Sequence, residues 1–220
     1  MSATLTTLRD RVEAQLADTA NAIWSTSAIE EAIRQALHEY SKTRPQRAIG
    51  TLTLAADGRE LSTTSITGIL QVMDVWCTYT ASDPEFPPNR RGFQYWPEQA
   101  LIYVWDEACP QAGDVVRVFY TKLQTLSGLD SASATSFPDD DESLIAIGAA
   151  GYAATSRAVD LAEQVTLDRL TTQQVRAWGL SKLQEFRSGL KTIARRMALE
   201  SLGHVELPAL DRHEDGSEWA

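Results

Sequence analysis

The residues best suited to chemistry form an uninterrupted acidic run, Asp139, Asp140, Asp141 and Glu142. Carboxylates grouped in this way suit a hard cation such as Mg²⁺ or Ca²⁺. They equally suit the first turn of a helix, where acids oppose the dipole and meet free amides. The segment LIAIGAAGYAATSRAV follows almost at once. Consecutive aspartates do not point the same way, and no EF-hand pattern follows, which favours the helix start. Asp106 and Glu107 are sequence neighbours at a strand end and suit turn polarity better than an acid/base pair. His38, His204 and His213 have no ligand spacing with one another or with cysteine, so no metal site is expected. Cys77 and Cys109 suit two small buried hydrophobes in a reducing compartment, with a disulfide between neighbouring strands as the alternative.

The signatures of common enzyme classes are missing. The chain has no G-x-S-x-G elbow, no Walker loop and no dinucleotide fingerprint. Gly148 to Gly151 is not a phosphate loop: it lacks the lysine and lies within a helical pattern rather than before one. The expectation is a protein that is not an enzyme and needs no cofactor. The remaining charged feature is a stripe near the end of the chain, Lys182, Arg187, Lys191, Arg195 and Arg196 against Glu185 and Glu200. Such a stripe suits a solvated helix face with cations near its C-terminus, or contact with an acidic partner.

Composition narrows the partners. The 220 residues are 43% hydrophobic, enough for one sizeable core, or one core with a satellite. A formal net charge of −10 argues against a general binder of nucleic acid or anionic membrane. No stretch approaches eighteen apolar residues, and the N-terminus carries early charges without an apolar h-region. Those features lead to the expectation of a protein that stays in the cytoplasm where it is made.

The elements that must position these residues begin with 24–45, WSTSAIEEAIRQALHEYSKTRP. Ser27 and Glu30 have the spacing of a capping box. Ile29, Ile33, Ala36, Leu37 and Tyr40 form one apolar stripe, and Pro45 ends the helix. Leu5, Leu8, Val12, Leu16 and Ile23 predict a helix before it, and Trp24 plugs the corner between the two. The period then changes. Residues 51–64, with Asp57-Gly58 at the centre, predict a β-hairpin. Further strands are expected over 69–80, 93–96, 101–105 and 114–122, with 83–89 an exposed proline-rich loop. A third helix over 144–160 is rich in alanine and glycine, so it belongs between several neighbours. A fourth over 172–202 repeats Trp178, Leu183, Phe186, Leu190, Ile193 and Met197 at threes and fours. The fold expected is α+β: an antiparallel helical bundle of about four helices (1–45 and 127–203) with an antiparallel sheet or sandwich (46–126) inserted between the second and third helices. Residues 204–220 are acidic, lack helical periodicity, and form an extended end segment.

This order of parts resembles the head–tail adaptor (connector) proteins of tailed bacteriophages. The likeness rests on the early helix Trp24…Ile29…Ile33…Ala36-Leu37…Tyr40-Ser41…Pro45. It also rests on Leu52-Thr53-Leu54…Asp57-Gly58 with Gly113-Asp114-Val115-Val116-Arg117-Val118…Tyr120. The third stretch is Phe137-Pro138…Glu142…Leu144-Ile145…Gly148-Ala149-Ala150…Tyr152-Ala153, followed by the long last helix. The resemblance implies a structural virion component made in the bacterial host cytoplasm. It would assemble as a homo-oligomeric, dodecameric ring at the neck, between the portal protein and the tail or tail-terminator protein. DNA would pass through its lumen during genome ejection without sequence-specific binding. By the same resemblance, portal docking falls to Arg187, Lys191, Arg195, Arg196, Leu207, Leu210 and Trp219. The aromatic loop with Phe86, Phe93, Tyr95 and Trp96 would meet the tail side or the outside. Two other roles fit the residues: a tail-completion or other neck protein, and a cytoplasmic DNA-associated regulator using the basic last helix.

Overall fold

A computed structural model of the chain describes residues 3–20, 22–80, 90–105, 109–163 and 169–202. It is mixed α/β, with four helices and two small antiparallel sheets. The helices are α1 (Leu5–Gln15), α2 (Thr26–Thr43), α3 (Glu142–Glu163) and α4 (Arg169–Leu202). The strands are β1 (Gln46–Thr53), β2 (Glu60–Ser62), β3 (Gln71–Cys77), β4 (Gly92–Trp96), β5 (Leu101–Trp105) and β6 (Val115–Lys122).

Each helix start has a local cause. Thr4 and Thr7 exchange side-chain and backbone hydrogen bonds in a reciprocal cap on α1. Helix α1 ends at Gln15, and Ala17 turns the chain with a positive φ of 53°. Ile23 therefore lies beyond the helix and is exposed, not part of its apolar stripe. The corner is set by Asp18, whose carboxylate accepts from the amides of Ala22, Ile23 and Trp24 at 2.8–2.9 Å. Trp24 fills the junction as expected: it packs on the helical core, and its indole N–H donates to the Ala153 carbonyl at 3.3 Å.

The expected Ser27–Glu30 capping box does not form. The N-cap is Ser25, whose extended backbone (φ −68°, ψ 151°) lets its hydroxyl accept from the Ala28 amide. Ser27 is already inside the first turn, and Glu30 faces Arg9 at 3.7 Å.

The stripe Ile29, Ile33, Ala36, Leu37 and Tyr40 is buried, and it meets Leu8 and Val12 of α1 and Phe186 and Leu190 of α4 in one cluster. Helix α3 packs against all three other helices. Its small residues permit this. A Cβ on Gly148 would stand 2.9 Å from the Phe186 ring, and one on Gly151 would stand 2.9 Å from the Leu183 side chain. Leu126, Leu129 and Phe137, from the connection before α3, close the same core. Trp178 departs from its expected place in the buried stripe and is 37% exposed.

The strands pair differently from expectation. Residues 51–64 make no hairpin: β1 pairs with β6, and β2 pairs with β5. The Asp57-Gly58 turn is held from outside. The Asp57 carboxylate accepts from the Ala112 amide at 2.7 Å, and the Gly58 amide donates to the Pro110 carbonyl at 3.0 Å. The chain thus crosses from one sheet to the other at that turn. One sheet has the order β1-β6-β3, with a bulge between Val72 and Asp74, and the other has the order β2-β5-β4. Leu52, Val75, Val116 and Val118 of the first sheet share a core with Leu61, Ile102 and Val104 of the second. Period-2 alternation then fixes what each sheet turns outward.

Cys77 is buried but Cys109 is exposed, and neither forms a disulfide, so only one of the two fits the buried expectation. No helix among the described residues is long and apolar enough to cross a membrane. The 83–89 loop, Asp106, Glu107, His204 and His213 lie outside the described residues.

Candidate docking surfaces

The acidic run is built into the body of the protein. It forms a 3₁₀ turn, Asp139–Asp141, behind Pro138, and no side chain caps that turn. Its central member is Asp141, a buried carboxylate. Tyr40 donates its hydroxyl to Asp141 Oδ2 at 2.6 Å, and Arg44 donates to the same oxygen at 2.9 Å. Arg196 of α4 reaches Asp141 Oδ1 at 3.7 Å. Glu142, also buried, pairs with Arg11 at 3.3 Å. The run does stand at the start of a helix, as expected, with Glu142 in the first turn of α3. Its last two acids also serve as ion-pair partners that tie α1, α2 and α4 to that start. The arrangement pushes the Tyr40 phenol well above its ordinary value of 10, by burial first and then by the hydrogen bond to Asp141. Among the described residues, no group of three or more His, Cys, Asp or Glu could hold a metal ion.

The same geometry divides the basic stripe of α4. Arg187 donates to Glu39 of α2 at 3.1 Å, and Tyr152 donates its hydroxyl to the other oxygen of Glu39. The hydrogen bond to Glu39 raises the Arg187 pKa further. Arg187 and Arg196 are thus latched to the protein's own body. Lys191 and Arg195 are exposed and have no acidic partner among the described residues. Beyond them Leu199 is exposed on the last turns of α4. Leu207, Leu210 and Trp219 lie outside the described residues.

The proposed aromatic contact set is also divided. Phe86 lies outside the described residues. Phe93 and Tyr95 turn inward and pack on the sheet core. Trp96 points to the other side of β4 and is 44% exposed. It has company that sequence inspection missed: Trp105, 58% exposed, lies on the same outer face, because Gly92 pairs with Trp105 and Trp96 pairs with Leu101.

The outer face of the β1-β6-β3 sheet carries a second aromatic cluster. Trp76 and Phe119 have ring centroids 4.6 Å apart, and Arg117 lies 4.6 Å over the Tyr79 ring. The Trp76 indole donates to Asp74 at 2.8 Å, and Asp74 pairs with Arg90 at 3.1 Å. Ile49, directly opposite Phe119 in the register, is 51% exposed. Alternation along 115–120 was the signal for this face, and the bulge at Val72/Asp74 interrupts it along 71–77.

No protein-family model matches the chain, and no curated protein matches it.

Proposed function

We propose that the chain is a structural head–tail adaptor of a tailed bacteriophage virion. In this reading four helices form a bundle, and the sheets inserted between the second and third helices are its outward module. Copies stand side by side in a dodecameric ring beneath the portal, join capsid to tail, and line the channel through which DNA leaves.

The observation that carries the reading is the outward presentation of apolar side chains on the sheets. Trp96, Trp105 and Ile49 stand on solvent-facing strand faces, although the sheets already have a filled core between them. Large exposed apolar side chains grouped on a face belong to contact surfaces. Ring assembly supplies the need: heterologous contacts require two unlike faces on every subunit. The excess of carboxylates suits a conduit, since an acidic wall gains little from counterion release and does not grip the phosphates passing it. Lys191, Arg195 and the exposed Leu199 mark the portal-side end of α4, from which 204–220 would continue onto the portal.

The test is assembly with purified portal rings, followed by electron microscopy. Twelve copies bound at one end of the portal are expected, and removal of residues 204–220 is expected to leave a folded protein that does not dock. Absence of any complex with a portal ring overturns the reading. Lys191 and Arg195, which have no acidic partner among the described residues, favour one competitor, a DNA-associated regulator. A mobility-shift titration at low ionic strength decides against it when no complex forms.

A further inference from the structure

The exposed face of the β1-β6-β3 sheet pairs apolar with cationic side chains. Ile49, Phe119 and Trp76 form its apolar strip across the three strands, in the register Ile49↔Phe119 and Trp76↔Arg117. Arg47 and Arg117 stand on the same face, and neither has an acidic partner among the described residues. The only carboxylate in that part of the register, Asp74, is paired with Arg90. Among the described residues the face is therefore apolar, with two positive charges that no carboxylate neutralises.

Residues 204–220 have the complementary character. Glu206, Asp211, Glu214, Asp215 and Glu218 outnumber a single Arg212, and Val205, Leu207, Leu210 and Trp219 lie among them. Helix α4, which leads into it, is tied to the start of β1. Arg196 touches Asp141, which also holds Arg44, two residues before β1 begins. Helix α4 runs on to Leu202, six residues or ~9 Å beyond that contact. Seventeen residues in extended form reach up to ~56 Å, against ~26 Å for the length of β1. Tethering at such a distance gives an effective concentration on the order of millimolar, so modest contacts suffice.

We infer that residues 204–220 dock on the outer face of the β1-β6-β3 sheet of the same subunit. Their apolar side chains cover Ile49, Phe119 and Trp76, and their carboxylates neutralise Arg47 and Arg117. The docking goes beyond the adaptor reading and does not need it. On that reading, the portal must take the segment from the sheet, and a free subunit is kept from premature contacts through this face.

The experiment uses the full chain with a photo-crosslinking amino acid, benzoylphenylalanine, in place of Ile49. After irradiation, products are separated by size and mapped by mass spectrometry. The expected result is a cross-link from position 49 to a residue within 204–220 in a product of monomer size. Cross-linking to 204–220 only in a dimer-sized product overturns the inference in favour of a second copy, and absence of any cross-link to 204–220 overturns it outright. A second full-length variant adds Arg47→Gln to the same probe. Loss of one exposed charge contact reduces the yield about two- to fivefold at low salt, and an unchanged yield removes the electrostatic part of the inference. Because no portal is present, the outcome is independent of whether the chain binds one.

Discussion

The helices and the sheets use their apolar residues in opposite ways. Around α3, Leu8, Ile29, Ile33, Ile145 and Phe186 are fully enclosed, and alanines and glycines let neighbouring backbones close the gaps. The sheets enclose Val75, Ile102, Val104, Val116 and Val118, yet they also set Trp96, Trp105, Ile49 and Met73 facing water. The contrast separates residues that hold the subunit together from residues available to something else. It also separates two uses of charge. In the helical part, Asp141 and Glu142 are buried and paired with arginines, whereas Arg47 on β1 has no acidic partner among the described residues.

The largest effect that sharpens this contrast belongs to Phe186→Ala. The ring is fully buried and lies against Gly148, so truncation opens a cavity that the close-packed α3 and α4 cannot collapse. A loss of about 3–5 kcal/mol is expected in urea unfolding. A loss below about 1 kcal/mol would mean that the α3–α4 contact is loose, and the contrast with the sheets would fail.

Next comes Asp141→Asn. The variant keeps one oxygen as an acceptor but removes the charge that Arg44 and Arg196 share. Two buried or half-buried cations then face a neutral amide, with an expected cost of about 2–3 kcal/mol. Calorimetry of Asp141→Asn and Arg196→Ala, singly and together, tests whether the latch couples α4 to α2. Strict additivity would deny it. Tyr40 adds an alkaline signature. Its phenol is held above the value of 10 that it regains on unfolding, so its contribution is complete below pH 10 and is lost as the pH rises through the folded value. Tyr40→Phe should abolish that part of the alkaline loss.

Much of the helical part was legible in the sequence, because a single face at period 3.6 has one way to be buried. Ile29, Ile33, Ala36, Leu37 and Tyr40 are where their spacing put them, and the alanine-rich α3 does lie among three neighbours. The sheets were legible as strands but not as partners. Asp57-Gly58 is a strong local turn signal, yet the amide of Ala112 and the carbonyl of Pro110 decide where that turn goes, and they are over fifty residues away. Which cations of the basic stripe are paired within the subunit was illegible for the same reason. Charge at Arg187 and Arg196 is visible in sequence, whereas the carboxylates of Glu39 and Asp141 that occupy them come from other elements. Asp18 was equally hidden, since an acid just after a helix looks like surface polarity until three later amides turn toward it.

Asp18 supplies a smaller, pH-dependent test within the helical part. The Trp24 amide first, then those of Ile23 and Ala22, lower its pKa below the ordinary value despite opposing desolvation. A depressed carboxylate stabilises the folded state above its unfolded value, about 3.9, and loses that contribution as the pH falls through the folded value. Wild type and Asp18→Asn should therefore differ in thermal midpoint at pH 7 and converge as the pH falls below about 4. A difference that stays constant down to pH 2 would rule out the amide-held carboxylate as its source.

The smallest expected change in stability lies on β5, and it breaks or upholds the contrast within a single strand. Ile102 and Trp105 are three residues apart, one fully buried between the sheets and the other on the outer face. Ile102→Ala should cost about 2–5 kcal/mol. Trp105→Ser should stay within about 0.5 kcal/mol of wild type, although it removes the larger side chain, because the indole is already mostly in water. Equilibrium unfolding of the two variants measures both. If Trp105→Ser proved as costly as Ile102→Ala, the indole would belong to the subunit's own packing, and the outer face would lose its standing as a surface kept for a neighbour. If stability is unchanged, a second measurement gains meaning: loss of ring assembly or of portal-complex formation by Trp105→Ser could then be assigned to the contact itself rather than to a damaged fold.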